Sequence, residues 1–160
     1  MGGSRSDVKP DNIFLDHEYN VLLGDFGLSE PFLPGSRTLT PIAGTLHYTA
    51  PEAFLGAPVC GPELDVWSAG IVLYVMMRGQ FPFSTATALD TLRAIMFSEP
   101  HWPAWFPRDA IDLLKRMLVK NPSRRASIVD IKSHPFIQSE VLFWEQELVP
   151  ACTPAKAACK

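Results

Sequence analysis

The sequence predicts a mainly α-helical domain carrying one short β-hairpin near its start, and three stretches support this. Ile13-Phe14-Leu15 and Val21-Leu22-Leu23 are apolar runs flanking the turn-rich Asp16-His17-Glu18-Tyr19-Asn20, a hairpin pattern. Asp65 to Met77 is apolar on nearly every face, which marks a helix buried all round. Ala110, Leu113, Leu114, Met117 and Leu118 follow the i, i+3, i+4, i+7, i+8 spacing of an amphipathic helix.

The hairpin comes first in the chain and carries the chemistry. A hairpin returns the chain to its starting point, so this one sets Asp25 beside Asn12. Asp7 lies just upstream, in Asp7-Val8-Lys9-Pro10-Asp11-Asn12. An aspartate stays ionised at neutral pH and can accept a hydroxyl proton as a general base. A second carboxylate and an amide oxygen are hard ligands of the kind magnesium takes alongside water and phosphate oxygens. Asp7, Asn12 and Asp25 are therefore residue types that can hold a hydroxyl nucleophile and magnesium against a phosphate.

Three motifs then stand in order: Asp7…Asn12, Asp25-Phe26-Gly27 and Ala50-Pro51-Glu52. They resemble the catalytic loop, Asp-Phe-Gly and Ala-Pro-Glu motifs of the eukaryotic serine/threonine protein kinases. The fold this implies is a protein-kinase-like large lobe, mainly α with a short β-hairpin carrying the metal site, and with the N-terminal lobe absent. The resemblance implies a catalytic base at Asp7, a cation steadying the transferring phosphate at Lys9, and magnesium ligands at Asn12 and Asp25. A lysine two positions after the base is the serine/threonine pattern, and Asp25-Phe26-Gly27-Leu28-Ser29 leans toward the calmodulin-dependent and AMP-activated group. Gly44-Thr45-Leu46-His47-Tyr48 resembles the strip that supports the substrate, with Thr45 hydrogen-bonding toward Asp7 and Lys9. Three roles are architectural: Glu52 pairs with Arg125, and Asp65 braces the backbone of the catalytic loop. The implied cofactors are Mg2+ and ATP as co-substrate, and the implied partners are proteins presenting Ser or Thr hydroxyls.

The chain also departs from the family. Arg5-Ser6 stands where His-Arg usually precedes the base, so the arginine that reads a phosphorylated activation segment has no counterpart in register. Ser36, Thr38 and Thr40 are candidate phosphoacceptors, with unmodified loop hydroxyls the alternative; the position of the family's activating threonine is Pro41. Only six residues precede Asp7, with no Gly-rich loop or strand lysine among them. The expected organisation is a linker or start-site scar over 1–6, a partial kinase domain over 7–138, and an extension over 139–160 that is disordered past 150. Two functions follow. One is Mg-ATP-dependent phosphorylation of protein Ser/Thr hydroxyls, with low or no activity in this chain alone for want of the ATP-gripping lobe. The other is a catalytically dead lobe acting as a docking or competing module. A third expectation is that the chain does not fold stably, because missing helices leave the apolar surface over 65–77 partly uncovered, an aggregation liability.

The remaining elements read as helices. The acidic Asp65 suits a helix start and Gly79 its stop. Ala88 to Met96 is a further helix, and Ser127 with Asp130 three residues on forms a capping box opening another. His134-Pro135-Phe136 resembles the end of the kinase domain, with His134 read as a packing residue rather than a ligand. Trp102 and Trp105, set among prolines, read as core or lobe-surface packing.

Composition narrows the class. Of 160 residues, 47% are hydrophobic and 19% charged, an ordinary globular balance. A net charge of −3 gives no basic surface for nucleic acid or an anionic membrane. No apolar run reaches the roughly 18 residues of a membrane span. Three cysteines, Cys60, Cys152 and Cys159, without metal-ligand spacing read as reduced thiols in an intracellular protein. Oligomeric state has no signal in the sequence.

Overall fold

The computed structural model describes residues 8–25, 45–55 and 61–139. The expectations at Asp7, at Phe26-Gly27, at Ser36, Thr38 and Thr40, at Cys60 and in the tail past 139 lie outside these residues.

The two-stranded hairpin pairs β1 (Ile13–Leu15) antiparallel with β2 (Val21–Leu23) in the register Ile13↔Leu23, Phe14↔Leu22, Leu15↔Val21. Asp16 organises the loop between them. Its carboxylate accepts from the backbone N–H of Glu18 (2.8 Å) and Asn20 (2.9 Å) and from the Asn20 side chain (2.9 Å), a side-chain mimic of a turn. Those bonds, the Asn20 side chain first, hold the Asp16 carboxyl below its ordinary range.

Helix α1 (Gly61–Arg78) is the axis of the structure. Leu64, Val66, Trp67, Gly70, Ile71, Val72 and Tyr74 are all buried, and they face different sides, as the all-round apolar run predicts. The helix begins four residues before Asp65, where the apolar run placed its start. Pro62 is tolerated there because the first turn has no intrahelical use for its missing N–H, and Glu63 meets the positive helix end. The predicted stop holds. Gly79 takes φ +72, and its N–H donates to Val75 O at 2.7 Å, closing the last turn.

Helix α3 (Arg108–Met117) lies against α1. Its predicted stripe is its buried face: Ala110, Leu113, Leu114, Met117 and, at the cap, Leu118. The two helices approach closely at Gly70, where an added Cβ would stand 3.0 Å from Leu118 Cδ2 and 3.1 Å from Met117 Cβ. Helix α2 (Ala88–Phe97) is capped by Thr87, whose side chain accepts from Asp90 N. Helix α4 (Ile128–Lys132) opens with the predicted capping box between Ser127 and Asp130. Among the described residues, no helix is long and apolar enough to cross a membrane.

Among the described residues, three apolar clusters form the core. Trp67, fully buried, stacks on Phe83 with ring centroids 5.9 Å apart in the largest of them. Tyr74, Phe106 and Leu114 centre a second, which Trp102 joins edge-on to Tyr74 at 6.1 Å. Val66, Leu113 and Met117 form the third, against Ile131, Phe136 and Ile137. Trp105 stays 64% exposed with its edge on Phe106, so it packs at the surface. His134 is buried, but it does more than fill space. Its Nδ1 accepts from Phe136 N, so Nε2 carries the proton toward Asp112 Oδ2 at 2.9 Å. That bond, with Arg116, holds the Asp112 carboxyl below its usual range.

Candidate active site

The site is assembled where the hairpin leaves the 3-10 turn Pro10–Asn12. Proline presets the backbone for the turn, and Asn12 N donates to Lys9 O at 3.0 Å. Asn12 itself is buried, unusual for an amide side chain. Past the last strand pair, Gly24 N donates to Asn12 O at 2.8 Å. Asn12 therefore lies against Gly24, and Asp25 follows one residue on. A Cβ added at Gly24 would stand 2.7 Å from Phe14 Cε2, so the Phe14 ring lies close over this turn.

Asp25 adopts φ +53, in the left-handed region that side chains other than Gly, Asn and Asp rarely enter. That conformation costs about 1 kcal/mol, and such strain concentrates at functional positions. The Asn12 amide oxygen and the Asp25 carboxylate can supply two hard donors from adjoining ends of the hairpin. Among the described residues, no three His, Cys, Asp or Glu gather into a cage for a resident metal.

Facing this loop is the 3-10 turn Leu46–Tyr48, with Thr45 as its N-cap. The Thr45 carbonyl accepts from Tyr48 N at 3.0 Å and from Thr49 Oγ1 at 3.3 Å, while its hydroxyl does not cap the turn. The expected contact of Thr45 with Asp7 lies outside the described residues. The Tyr48 phenol is pushed above its ordinary pKa, first by burial and then by the charge of Asp11; Lys9 pulls it the other way. Lys9 and Asp11 are thus near enough to act on Tyr48, which sets the 9–12 loop against the 45–48 segment. Ser68 of α1 fixes that segment from beneath, with Oγ 2.9 Å from Tyr48 O and 3.2 Å from Leu64 O. Asp65 sits half-buried in the same stretch of α1.

Glu52 and Arg125, 73 residues apart, meet in a buried bidentate pair. Arg125 Nη1 donates to Glu52 Oε1 at 2.6 Å and Nη2 to Oε2 at 2.8 Å. The rest of the guanidinium donates to Glu63 O (2.6 Å) and Val119 O (3.0 Å), and it lies over the Trp67 ring at 5.1 Å. The pair ties the 3-10 turn Pro51–Leu55 to the start of α1 and to the loop after α3.

Ser68 and Lys120 are two polar residues the sequence reading passed over. Lys120 Nζ donates to Ile95 O at 2.6 Å near the C-terminal end of α2 and sits 3.9 Å from the Phe83 centroid. Burial lowers its pKa to about 8, with Glu99 opposing and Arg125 adding to the fall. For Ser68 there was a signal, since a hydroxyl inside an apolar helix must find a partner. For Lys120 there was none, because its partners come from distant segments.

The hairpin, the facing 45–48 turn and the buried Glu52–Arg125 clamp are thus joined around the start of α1. Residues 4–137 match the protein kinase domain family, and the chain belongs to it, among the serine/threonine protein kinases. Similar proteins include "Sucrose non-fermenting protein kinase 1" of Fusarium virguliforme, 40% identical over 84% of this chain and 19% of its own length. The "SNF-related serine/threonine-protein kinase" of Homo sapiens is 41% identical over 82% of this chain and 17% of its own. "Sperm motility kinase Z" of Mus musculus is 35% identical over 82% and 26%. These names agree with the leaning toward the AMP-activated group read from residues 25–29. The chain spans about a fifth of the length of the first two relatives.

Proposed function

We propose that this chain supplies the catalytic-loop half of a serine/threonine protein kinase. Asn12 and Asp25 hold Mg2+ on the phosphates of ATP, Asp7 orients the acceptor hydroxyl and takes its proton, and Lys9 steadies charge on the group in transit. Magnesium bound there neutralises phosphate charge. Thr45 and the turn after it support the substrate chain beside Asp7. The observation that carries this reading is the 2.8 Å closure of Gly24 N on Asn12 O, with Asp25 held next in a left-handed conformation. Glu52, Arg125 and Asp65 keep the supporting segments in place.

Catalysis of this kind is positioning and electrostatics, so it weakens when the parts that grip the nucleotide are not supplied. The reading assigns these 160 residues low or no transfer by themselves. A second reading, a docking or competing module that transfers nothing, is favoured by the exposed apolar hairpin: Phe14 is 53% exposed and Val21 68%. The test is transfer of labelled γ-phosphate from Mg-ATP to a mixture of Ser/Thr-containing proteins. Transfer that disappears in Asp7→Ala supports the kinase reading, and transfer that survives it refutes the reading. No transfer by the native chain favours the docking module.

A further inference from the structure

We propose that a pocket at the C-terminal end of α1 recognises an acidic side chain of the polypeptide that runs along residues 45–48. That a polypeptide runs along residues 45–48 rests on the function proposed above. The pocket is an open concavity of about 630 Å³ lined by Arg78, Gln80, Phe81, Pro82, Ser84 and His101, with Gly79 between them. Among the described residues, no acidic one lines it.

Arg78 is the pocket's fixed charge. Its Nη1 donates to the Tyr74 hydroxyl at 2.6 Å, and that hydroxyl donates to His101 O at 2.6 Å. The guanidinium also lies over the Tyr74 ring, 5.9 Å from its centroid. Tyr74 is fully buried, so the anchor cannot swing and Arg78 is held with it. Among the described residues, Arg78 has no carboxylate within ion-pair distance, whereas Arg93, Arg116 and Arg125 each have one. A guanidinium has five N–H donors in a rigid fork that matches a carboxylate, and one bond to a hydroxyl leaves most of the fork unspent. Gln80, Ser84 and the His101 ring add hydrogen-bonding groups around it. The carbonyl end of α1 would repel an anion on its own, and the full charge of Arg78 outweighs that partial charge.

A polypeptide is the fitting occupant because the pocket and the 45–48 turn share a wall. Phe81 lines the pocket and stacks on His47 with centroids 4.3 Å apart, and its ring meets Tyr48 edge-on at 5.3 Å. A chain lying along 45–48 therefore reaches the pocket by way of Phe81. Room is ample there: a Cβ added at Gly79 would find no heavy atom within 4 Å. Arg78 is then a specificity-determining residue that selects Asp or Glu at one flanking position of the substrate.

The experiment measures binding of the full chain, without ATP, to fluorescent serine-centred peptides. Each flanking position in turn is Glu or Gln. A partly exposed charge pair predicts about a fivefold preference for Glu over Gln at one position, screened at high salt. Arg78→Gln, which can still hydrogen-bond Tyr74, removes that preference and leaves binding of the Gln peptides and the unfolding midpoint unchanged. Equal binding of Glu and Gln peptides at every position overturns the proposal, as does a preference that survives Arg78→Gln or a chain that binds neither peptide. Phosphoserine at the preferred position tells whether a phosphate serves as well as a carboxylate. Nucleotide plays no part in the readout, so failure of the magnesium site and failure of this pocket are told apart.

Discussion

Arg125→Ala tests how much of the lobe hangs on one buried charge. In the native structure the Arg125 side chain is wholly buried and Glu52 nearly so. Four good hydrogen bonds hold the guanidinium: two to Glu52, one to Glu63 O and one to Val119 O. Truncation strands the Glu52 carboxylate and two carbonyls in a site water does not reach. Breaking a buried pair from one side costs about 3–5 kcal/mol, a large part of the roughly 5–15 kcal/mol that holds a domain together. In urea, with a slope of about 2 kcal/mol per molar, the midpoint falls by about 2 M. Arg125→Lys keeps the charge but loses the fork and the Nε bond to Val119, and falls by about half as much. Glu52→Leu with Arg125→Met removes both charges, so it costs less than the sum of the single changes. A loss below about 1 kcal/mol for Arg125→Ala, or additivity within about 0.5 kcal/mol in the cycle, refutes the reasoning.

Three further outcomes are expected. Lys120 has a folded pKa of about 8 against an ordinary 10.5, so between those values the unfolded chain binds more protons and stability rises with pH. The penalty is fully present below pH 8, and because the ammonium is partly exposed the gain by pH 10 is about 1 kcal/mol; a Lys120→Met curve that parallels the native one in that window contradicts this. Gly79→Ala has space for its methyl group but not the backbone, at φ +72, and loses about 1 kcal/mol in thermal unfolding; an unchanged midpoint would count against it. Ser127→Ala breaks the capping box of α4 and costs about 1 kcal/mol, read by urea unfolding, with no loss meaning the cap is idle.

What was legible in the sequence was what local pattern encodes. The α3 stripe from Ala110 to Leu118 and the Ser127–Asp130 box depend only on spacing within a turn or two of helix, and both stand in the structure. The start of α1 was read four residues late, because apolar periodicity begins at Asp65 while Gly61 and Pro62 look like loop. Glu52 and Arg125 share no local pattern, so only the motif resemblance linked them. Asp25's left-handed backbone was invisible, since nothing in Gly24-Asp25-Phe26 distinguishes it from an ordinary strand exit. The half-buried Lys120 was also unreadable: its desolvation comes from Trp67 and Phe83, brought in by the tertiary fold.

The most direct test of the proposed nucleotide site is thermal unfolding of the purified chain with and without Mg-ATP. A ligand bound only to the native state adds RT ln(1 + [L]/Kd), about 1.4 kcal/mol at ten times Kd, which for a domain of this size is about 3–6 °C. Asp25→Asn keeps the left-handed backbone accessible while removing the charge. The account predicts a cooperative transition that moves up with Mg-ATP in the native chain and stays within a degree or so in Asp25→Asn. A transition that Mg-ATP leaves in place, or one that moves equally in both proteins, contradicts a magnesium-nucleotide site at Asn12 and Asp25.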